Sequence, residues 1–459
     1  MYKRIIYQEL EKWSAKADRK PLILRGARQV GKTTIVADFA KNYGTFLSLN
    51  LELKADRDLF EQDYSIGDLI SAIHFRLNKP IQNAGTTLLF IDEIQSCPKA
   101  ASMLRYFFEE RNDIHVIAAG SLLETLIDKH IGFPVGRVEY LFMHPMSFSE
   151  YLLAANEHEA HAVLRKIPFP DFAHQKLLEL FHQYTLIGGM PEAVTAFLSK
   201  KDILACNAVY ENLFISFMDD VEKYASNKTM AQVIRHAIAH APLSSGDRIH
   251  FHGFGNSNYK SREMGEALRT LEKAMLLQLV YPTTQVSMPA ETDHKKSPRL
   301  QFLDIGMINH AAGLQKYYFQ LNDLNTIYRG HIIESVVGQE LLAMHSHIQK
   351  PLKFWVREKA QSTAEVDYVL AHEKYLIPIE VKSGETGTLK SLMQFMEDAN
   401  HDIAIRLYAG KIKTDELKTP SGKKFKLLSL PYYLVSQLES YLGTFYSIFR
   451  KKARKYGRT

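Results

Sequence analysis

The sequence predicts a multidomain α/β chain, and three stretches carry that prediction. Leu22-Ile23-Leu24 runs into Gly26-Ala27-Arg28-Gln29-Val30-Gly31-Lys32-Thr33, a buried-strand signal followed by a glycine-bracketed turn and a helix start. Thr87-Leu88-Leu89-Phe90-Ile91 is a second apolar run, closed by Asp92-Glu93. Near the C-terminus, Ile379-Glu380-Val381-Lys382 alternates apolar and charged residues as a half-buried strand does. Strands of this kind separated by helical patterns point to parallel sheets with helices packed on them.

At 459 residues the chain is too long for one compact core, and about two to four domains are expected. Hydrophobic residues at 46% and charged residues at 24% describe an ordinary globular protein, not a disordered or fibrous one. The formal charge of +6 is compatible with nucleic-acid binding but too small to establish it. The two cysteines, Cys97 and Cys206, are far apart and form no C-x-x-C or metal-finger spacing, which fits a reducing compartment. The start MYKRIIYQELEKW lacks the apolar core of a signal peptide, and no apolar run is long enough to span a bilayer. A cytoplasmic protein with no membrane partner is therefore expected.

In chain order, Ile5 to Trp13 has the spacing of a short amphipathic helix. The glycine-rich stretch meets G-x-x-x-x-G-K-[ST] in full, the P-loop pattern. Its glycines let backbone amides converge on phosphate oxygens, and the following helix N-terminus adds partial positive charge. Gly26, Ala27, Arg28, Gln29, Val30, Gly31, Lys32, Thr33 and Thr34 are the expected ATP-binding residues. Lys32 would reach the β- and γ-phosphates and Thr33 would complete a Mg²⁺ shell. A glycine-containing surface turn is the competing explanation, but every fixed position is filled and a strand precedes it. Thr45 to Leu49 reads as the next strand and Ile66 to Leu77 as a helix. The apolar run at Thr87 reads as a central parallel strand, with Asp92 and Glu93 at the end where open sheets bind ligands. Asp92 would hold the metal shell and Glu93 would orient or deprotonate the attacking water. Ile114 to Ser121 is the next buried strand. Ser121, at its end, suits contact with the γ-phosphate or the water, and a simple turn serine explains it equally well. Arg137, after the Gly132-Phe133-Pro134 break, suits neutralising phosphate charge in cis or across a subunit boundary, against a default of solvent exposure.

With these motifs the chain resembles the bacterial and archaeal P-loop ATPases of the AAA+ group that carry a C-terminal DUF4143 domain. The resemblance rests on Gly26 to Thr34, Leu89-Phe90-Ile91-Asp92-Glu93-Ile94-Gln95, Gly120-Ser121, Gly136-Arg137, Pro145-Met146-Ser147-Phe148 and Gly188-Gly189-Met190-Pro191. It implies ATP and Mg²⁺ as cofactors, with Lys32, Thr33, Asp92 and Glu93 as nucleotide and metal residues. It further implies Ser121 as the polar sensor and Arg137 as the recurrent Gly-Arg.

Phe148 to Leu152 and Phe172 to Tyr184 read as helices, and Pro191 is placed to open another after the Gly188-Gly189 turn. This region is expected to be a helical lid. Asp219, Asp220 and Glu222 are read as the solvated side of a helix. Met230 to about Pro282 reads as a winged helix, with helices around Val233 and Met264 and a wing strand at Leu277 to Tyr281. Lys260, Arg262, Arg269 and Lys273 supply positive charge there, offset by Glu263, Glu266 and Glu272. Interdomain packing is the preferred role over DNA reading. Gln285 to Arg299 reads as an exposed loop.

The C-terminal part opens with a helix from His331 to His345, followed by strands at Phe354 to Arg357, Ala364 to Leu370 and Tyr375 to Lys382. Strand periodicity puts Glu380 and Lys382 on one face, and hairpin pairing brings Asp367 near them. With Glu340 on the preceding helix, the set Glu340, Asp367, Glu380 and Lys382 resembles the restriction-endonuclease-like fold of PD-(D/E)xK nucleases. Gln394, on a helix beginning near Thr388, would sit close by. In that fold two carboxylates hold Mg²⁺ and the lysine stabilises developing charge. A surface ion pair is the plain alternative. The tail from Arg450 to Arg458 is basic and suits phosphate contact or simple solvation.

The expected architecture is thus an α/β P-loop parallel sheet at 1–150, a helical lid at 151–228, a winged helix at 229–284, a restriction-endonuclease-like domain at 300–445 and a basic tail at 446–459. The expected function is Mg²⁺-dependent ATP hydrolysis coupled to conformational change in a nuclease-like domain. The alternative is a non-cleaving switch that binds nucleic acid or protein. DNA, RNA and a protein partner remain open, as does homo-oligomerisation.

Overall fold

The computed structural model describes residues 2–81, 87–120, 136–223, 225–315, 330–347, 351–358, 364–384 and 388–445. The N-terminal sheet contains β1 (Leu22–Arg25), β2 (Thr45–Asn50), β3 (Thr87–Asp92), β4 (His115–Gly120) and β5 (Glu139–Phe142). They lie in the order β2-β3-β4-β1-β5 and every pairing is parallel. The strands are apolar on both faces because both faces are covered. Leu22, Leu24, Leu88, Phe90, Ile117 and Ala119 face the helices Ile6–Ser14 and Lys32–Phe39. Ile23, Leu47, Leu89, Ile91, Val116 and Ala118 face Ile66–Arg76 and Pro98–Glu110. One-residue alternation along each strand thus sorts the side chains into two cores.

Helices Phe148–Ala154, His174–Ile187, Pro191–Lys200 and Ala205–Asp220 follow. The first starts on a reciprocal cap between Ser147 and Glu150. Helices Lys228–His240 and Ser261–Lys273 come next, packed through Ile234, Ile238, Met264, Leu268 and Leu271. They lead into an antiparallel ribbon of β6 (Leu277–Val280) and β8 (Arg299–Phe302), with Leu277 opposite Phe302. Between the two, β7 (Pro282–Thr283) leaves the ribbon and pairs in parallel with β9 (Phe354–Val356). The ribbon therefore closes at Phe302, beyond the boundary expected at 284, and it is stitched into the C-terminal part. The expected exposed loop also ends differently, since Arg299 is a strand residue with a side chain only 13% exposed.

In the C-terminal part, β10 (Glu365–Val366) pairs with β9. β11 (Tyr368–His372) and β12 (Tyr375–Val381) form a hairpin, then β13 (Ile403–Tyr408), β14 (Lys413–Lys418) and β15 (Lys424–Pro431) complete a sheet in the order β11-β12-β13-β15-β14. β12, β13 and β15 run parallel, with helix Lys390–Asp398 as the crossover from β12 to β13. That helix covers one face through Leu392, Phe395 and Met396, packed with Ala404 and Leu427. Helix Gly330–Ala343 covers the other, where Ile333, Val336, Val337 and Leu341 join Ile377, Ile379 and Ile405. These residues belong to the same continuous apolar core that begins at Ile6. The parts of the chain are packed together, not strung on linkers. No helix among the described residues is long and apolar enough to cross a membrane.

Candidate functional site

The P-loop leaves β1 at Arg25 and enters the helix Lys32–Phe39 through Gly31, whose φ of 100° is a conformation that only glycine adopts without strain. Lys32 is folded back on its own loop, donating to the carbonyls of Gly26 at 2.8 Å and Ala27 at 2.9 Å. Burial pulls its amine down to about 8. Glu93 and Asp92 oppose that shift and Arg28 reinforces it. The Thr33 hydroxyl donates to the Asp92 carboxylate at 2.6 Å, so the loop and the acidic end of β3 share one place. The other Asp92 oxygen accepts from the Glu93 amide at 3.0 Å. Glu93 itself has a left-handed backbone, φ 52°, which turns the chain sharply off the strand.

Gln95 and Arg28, which the motifs contain, and Arg4, which they do not, complete this end of the sheet. Gln95 donates its side-chain amide to Glu93, while its buried carbonyl oxygen has no partner among the described residues. It fits there because Gly120 at the end of β4 has no side chain to collide with it. Arg4 holds the loop from behind, reaching the Val30 carbonyl at 2.9 Å, the His144 carbonyl at 2.7 Å and Glu150 at 3.0 Å. Arg28 pairs with Asp220 at the end of the helix Ala205–Asp220, and Lys223 bridges Asp220 at 3.1 Å and Glu52 at 2.6 Å. The acidic helix end read as solvated is therefore tied to the P-loop.

A second set of charged residues lies on the C-terminal sheet. Glu380 on β12 accepts from Lys382 at 2.7 Å, and Asp367 accepts from the Val381 amide at 2.7 Å. Tyr368 stands opposite Ile379 in the hairpin, so Asp367 falls beside Glu380 as the pairing requires. The helix carboxylate in this group is Glu334. Burial and the neighbouring charge of Asp367 hold its carboxyl well above the usual range, against Arg299 and Lys382. Glu380 is raised for the same reasons.

A family model described as an AAA domain (AAA_14) matches residues 18–152, and one for a domain of unknown function, DUF4143, matches residues 329–433. The chain joins an N-terminal AAA domain to a C-terminal DUF4143 domain. Between them, a second domain of unknown function, DUF8612, matches residues 178–318. No curated protein matches the chain. Among solved structures, the Walker-type ATPase of Pyrococcus abyssi is similar at 13% identity, covering 68% of this chain and 96% of its own, with a TM-score of 0.43. A signal-transduction ATPase with a tetratricopeptide-repeat sensor from Pyrococcus horikoshii is similar at 13% identity, covering 74% of this chain and 45% of its own, with a TM-score of 0.28.

Two expected site residues lie elsewhere. Arg137 is not at the nucleotide site of its own AAA domain. It donates to Glu109 at 2.5 Å, and its neighbour Gly136 accepts from Lys20, ahead of β1. That is the opposite end of strands about 13 Å long. Glu340 is not in the DUF4143 cluster. It is six residues beyond Glu334, which turns it about 120° around the helix. There it is fully buried against the AAA domain, accepting from the Phe148 amide and the Tyr184 hydroxyl, both at 2.8 Å. Gln394 has its amide oxygen taken by Arg357 at 3.3 Å. Ser121 and the basic tail lie outside the described residues.

Glu340 belongs to a buried network that no motif announced. Gln339 donates to the Tyr184 hydroxyl at 3.0 Å and to Asp304 at 3.3 Å. Asp304 in turn caps the helix Ile305–Ala311 and accepts from the Gly189 amide at 2.6 Å. Gly188, with φ 79°, and Gly189 are required at that turn because a β-carbon on either would collide with Asp304 or with the Met146 backbone. The Gly-Gly-Met-Pro stretch is thus a junction. Its Pro191 ring also lies 3.9 Å from where a β-carbon on Gly31 of the P-loop would stand.

Proposed function

We propose that this protein is a Mg²⁺-dependent ATPase whose nucleotide state sets the position of the central helices and the DUF4143 domain. The observation that carries the reading is the 2.6 Å contact between Thr33 and Asp92 beside the buried amine of Lys32. Two hard oxygen donors side by side suit Mg²⁺, and Thr33 and Asp92 would hold it. When bound, the ion neutralises phosphate charge. The chain supplies the rest. Lys32 exchanges its two loop carbonyls for phosphate oxygens, and the amides of the P-loop and helix N-terminus bind the same groups. Glu93 orients a water and accepts its proton, with Gln95 fixing the carboxylate that does so. Phosphate release changes what the loop offers to Arg28, Arg4 and Pro191, and those residues lead to the central helices.

We read the segment from Lys228 to Phe302 as a winged helix used for packing, since its ribbon is stitched to β9. The DUF4143 domain we read as restriction-endonuclease-like in fold, on the placement of Asp367 beside Glu380 and Lys382. Among the described residues no three acidic, histidine or cysteine side chains are placed to hold a metal ion. The test is phosphate release by the full chain with Mg²⁺, alone and with duplex DNA, single-stranded DNA or RNA. Hydrolysis that one of these stimulates supports the switch and names the partner class. No hydrolysis and no nucleotide binding in any condition overturns it.

A further inference from the structure

One residue in the DUF4143 cluster does not come from the DUF4143 domain. Arg299 sits on β8 of the ribbon, and its guanidinium reaches three carboxylates at once. It donates to Glu365 at 2.6 Å, lies 3.4 Å from a carboxylate oxygen of Asp367 and lies 3.6 Å from Glu334. It also bonds the Asp367 carbonyl at 3.4 Å and stacks over the Phe354 ring at 4.9 Å. We propose that Arg299 is a built-in counter-cation occupying the acidic cluster, and that withdrawing it opens a divalent-cation site formed by Glu334, Asp367 and Glu380.

The inference rests on reading that cluster as able to hold a cation, and three observations support it. First, one oxygen of Glu380, a residue 95% buried by its 5% exposure, has no hydrogen-bond partner among the described residues, while the other takes Lys382. A buried carboxylate oxygen left bare is costly, and a cation entering the space in front of it would relieve that cost. Second, Glu334, Glu365, Asp367 and Glu380 face Arg299 and Lys382, with Arg248 3.5 Å from Glu365 at the rim. The acids in the cluster outnumber the cations that face them from within it. Third, the cation in place is monovalent and planar, and a divalent ion within a few ångströms of it would be strongly repelled. Arginine and metal exclude each other, which is why the donors of a cation site are present without forming one.

The ribbon also gives the plug a means of moving. Arg299 is five residues from Asp304, and Asp304 holds the Gly189 turn that leads to Pro191 beside the P-loop. A shift of the central helices is therefore delivered to β8 through one buried hydrogen bond and five residues of chain.

The test is a calorimetric titration of the nucleotide-free full chain with Mn²⁺. Without nucleotide the readout does not depend on ATP hydrolysis, so a failure here and a failure of the ATPase reading are told apart. Arg299→Gln is expected to gain one Mn²⁺ site about tenfold tighter than any in the wild type, and Glu380→Gln in that background to abolish it. Glu365→Gln, which removes the shortest contact of the plug and leaves the arginine, is the second variant in case the first does not fold. It is expected to shift Mn²⁺ affinity in the same direction by about threefold. Mn²⁺ binding unchanged in both variants overturns the proposal, as does a gained site that survives Glu380→Gln. Wild-type protein that already binds Mn²⁺ through Glu380 keeps the cation site and overturns the plug.

Discussion

Gly189 donates its backbone amide to the carboxylate of Asp304 at 2.6 Å, across 115 residues of sequence and at the point where the helices after the AAA domain meet the ribbon. Asp304 also accepts from Gly306 at 3.0 Å and Met307 at 3.3 Å, with Tyr210 at the same distance as Met307. With Gln339 at 3.3 Å as well, five donors converge on one buried acid. Burial still lifts its carboxyl to about 6, because even these bonds do not replace its lost hydration.

Asp304→Asn should therefore destabilise the junction. An amide has one acceptor oxygen, and its NH₂ group would face backbone N–H donors. Leaving buried donors unpaired costs about 1–3 kcal/mol. The measurement is thermal unfolding followed by calorimetry. An unchanged melting profile would show that Asp304 does not hold the modules together.

Lys32→Ala removes the amine that the P-loop holds ready. Hydrogen bonds to charged groups are worth about 1.5–3 kcal/mol, so ATP affinity should fall by about ten- to a hundredfold. Equilibrium binding of a fluorescent ATP analogue reads this directly. Affinity equal to the wild type would mean that the phosphates lie elsewhere.

How far the sequence reveals this arrangement differs between the two sites. The P-loop and the end of β3 are legible because the contacts are local to each motif, and the parallel sheet aligns their ends. In the DUF4143 domain the strand pair Glu380 and Lys382 is legible for the same reason. The helix acid is not, because Glu334 and Glu340 sit on one helix and only its packing decides which faces the sheet. Glu340 lies among Val336, Val337 and Leu341, and an acid within an apolar stripe is itself the mark of a buried partner. Arg299 leaves no such trace, since its role depends on a ribbon from another module arriving at Asp367. Arg137 shows the converse, a recurrent pair of residue types whose side chain turns out to serve Glu109.

Glu93→Gln should leave ATP binding close to wild type and slow turnover by about 10²–10⁴-fold, the usual contribution of a general base. Gln95 would then face an amide in place of a carboxylate, so the remaining water would lose its fixed orientation as well. Single-turnover hydrolysis separates this from a binding defect. Normal turnover would remove Glu93 from the mechanism.

Asp220→Asn releases Arg28 from the end of the helix Ala205–Asp220 while leaving the P-loop sequence intact. The pair is partly exposed, with side chains 35% and 17% accessible, so its strength is modest. The freed guanidinium adds positive charge at the loop, and ATP binding should tighten by about two- to fivefold. The effect should shrink as salt is raised. Affinity that is unchanged at low salt would mean that Arg28 does not face the phosphates.

Glu340→Gln tests the buried network through its pH dependence. Burial raises the Glu340 carboxyl from 4.5 to about 7, opposed by the bonds from Tyr184 and the Phe148 amide and aided by the charge of Glu150. The folded protein therefore keeps this proton to a higher pH than the unfolded chain does. Its contribution to stability is fully present below about pH 4.5, declines as pH rises and is gone above about pH 7. Asp304, raised from 3.8 to about 6, adds a slope of the same sign at lower pH and remains in the variant. Glutamine keeps the oxygen that accepts from Phe148 and Tyr184 but cannot ionise. The variant should thus gain on the wild type as pH rises from about 5 to about 8, measured as the difference in melting temperature at each pH. Melting curves that run parallel across that range would mean that Glu340 is ionised in the folded protein, and that the junction is held by a charge and not by a shared proton.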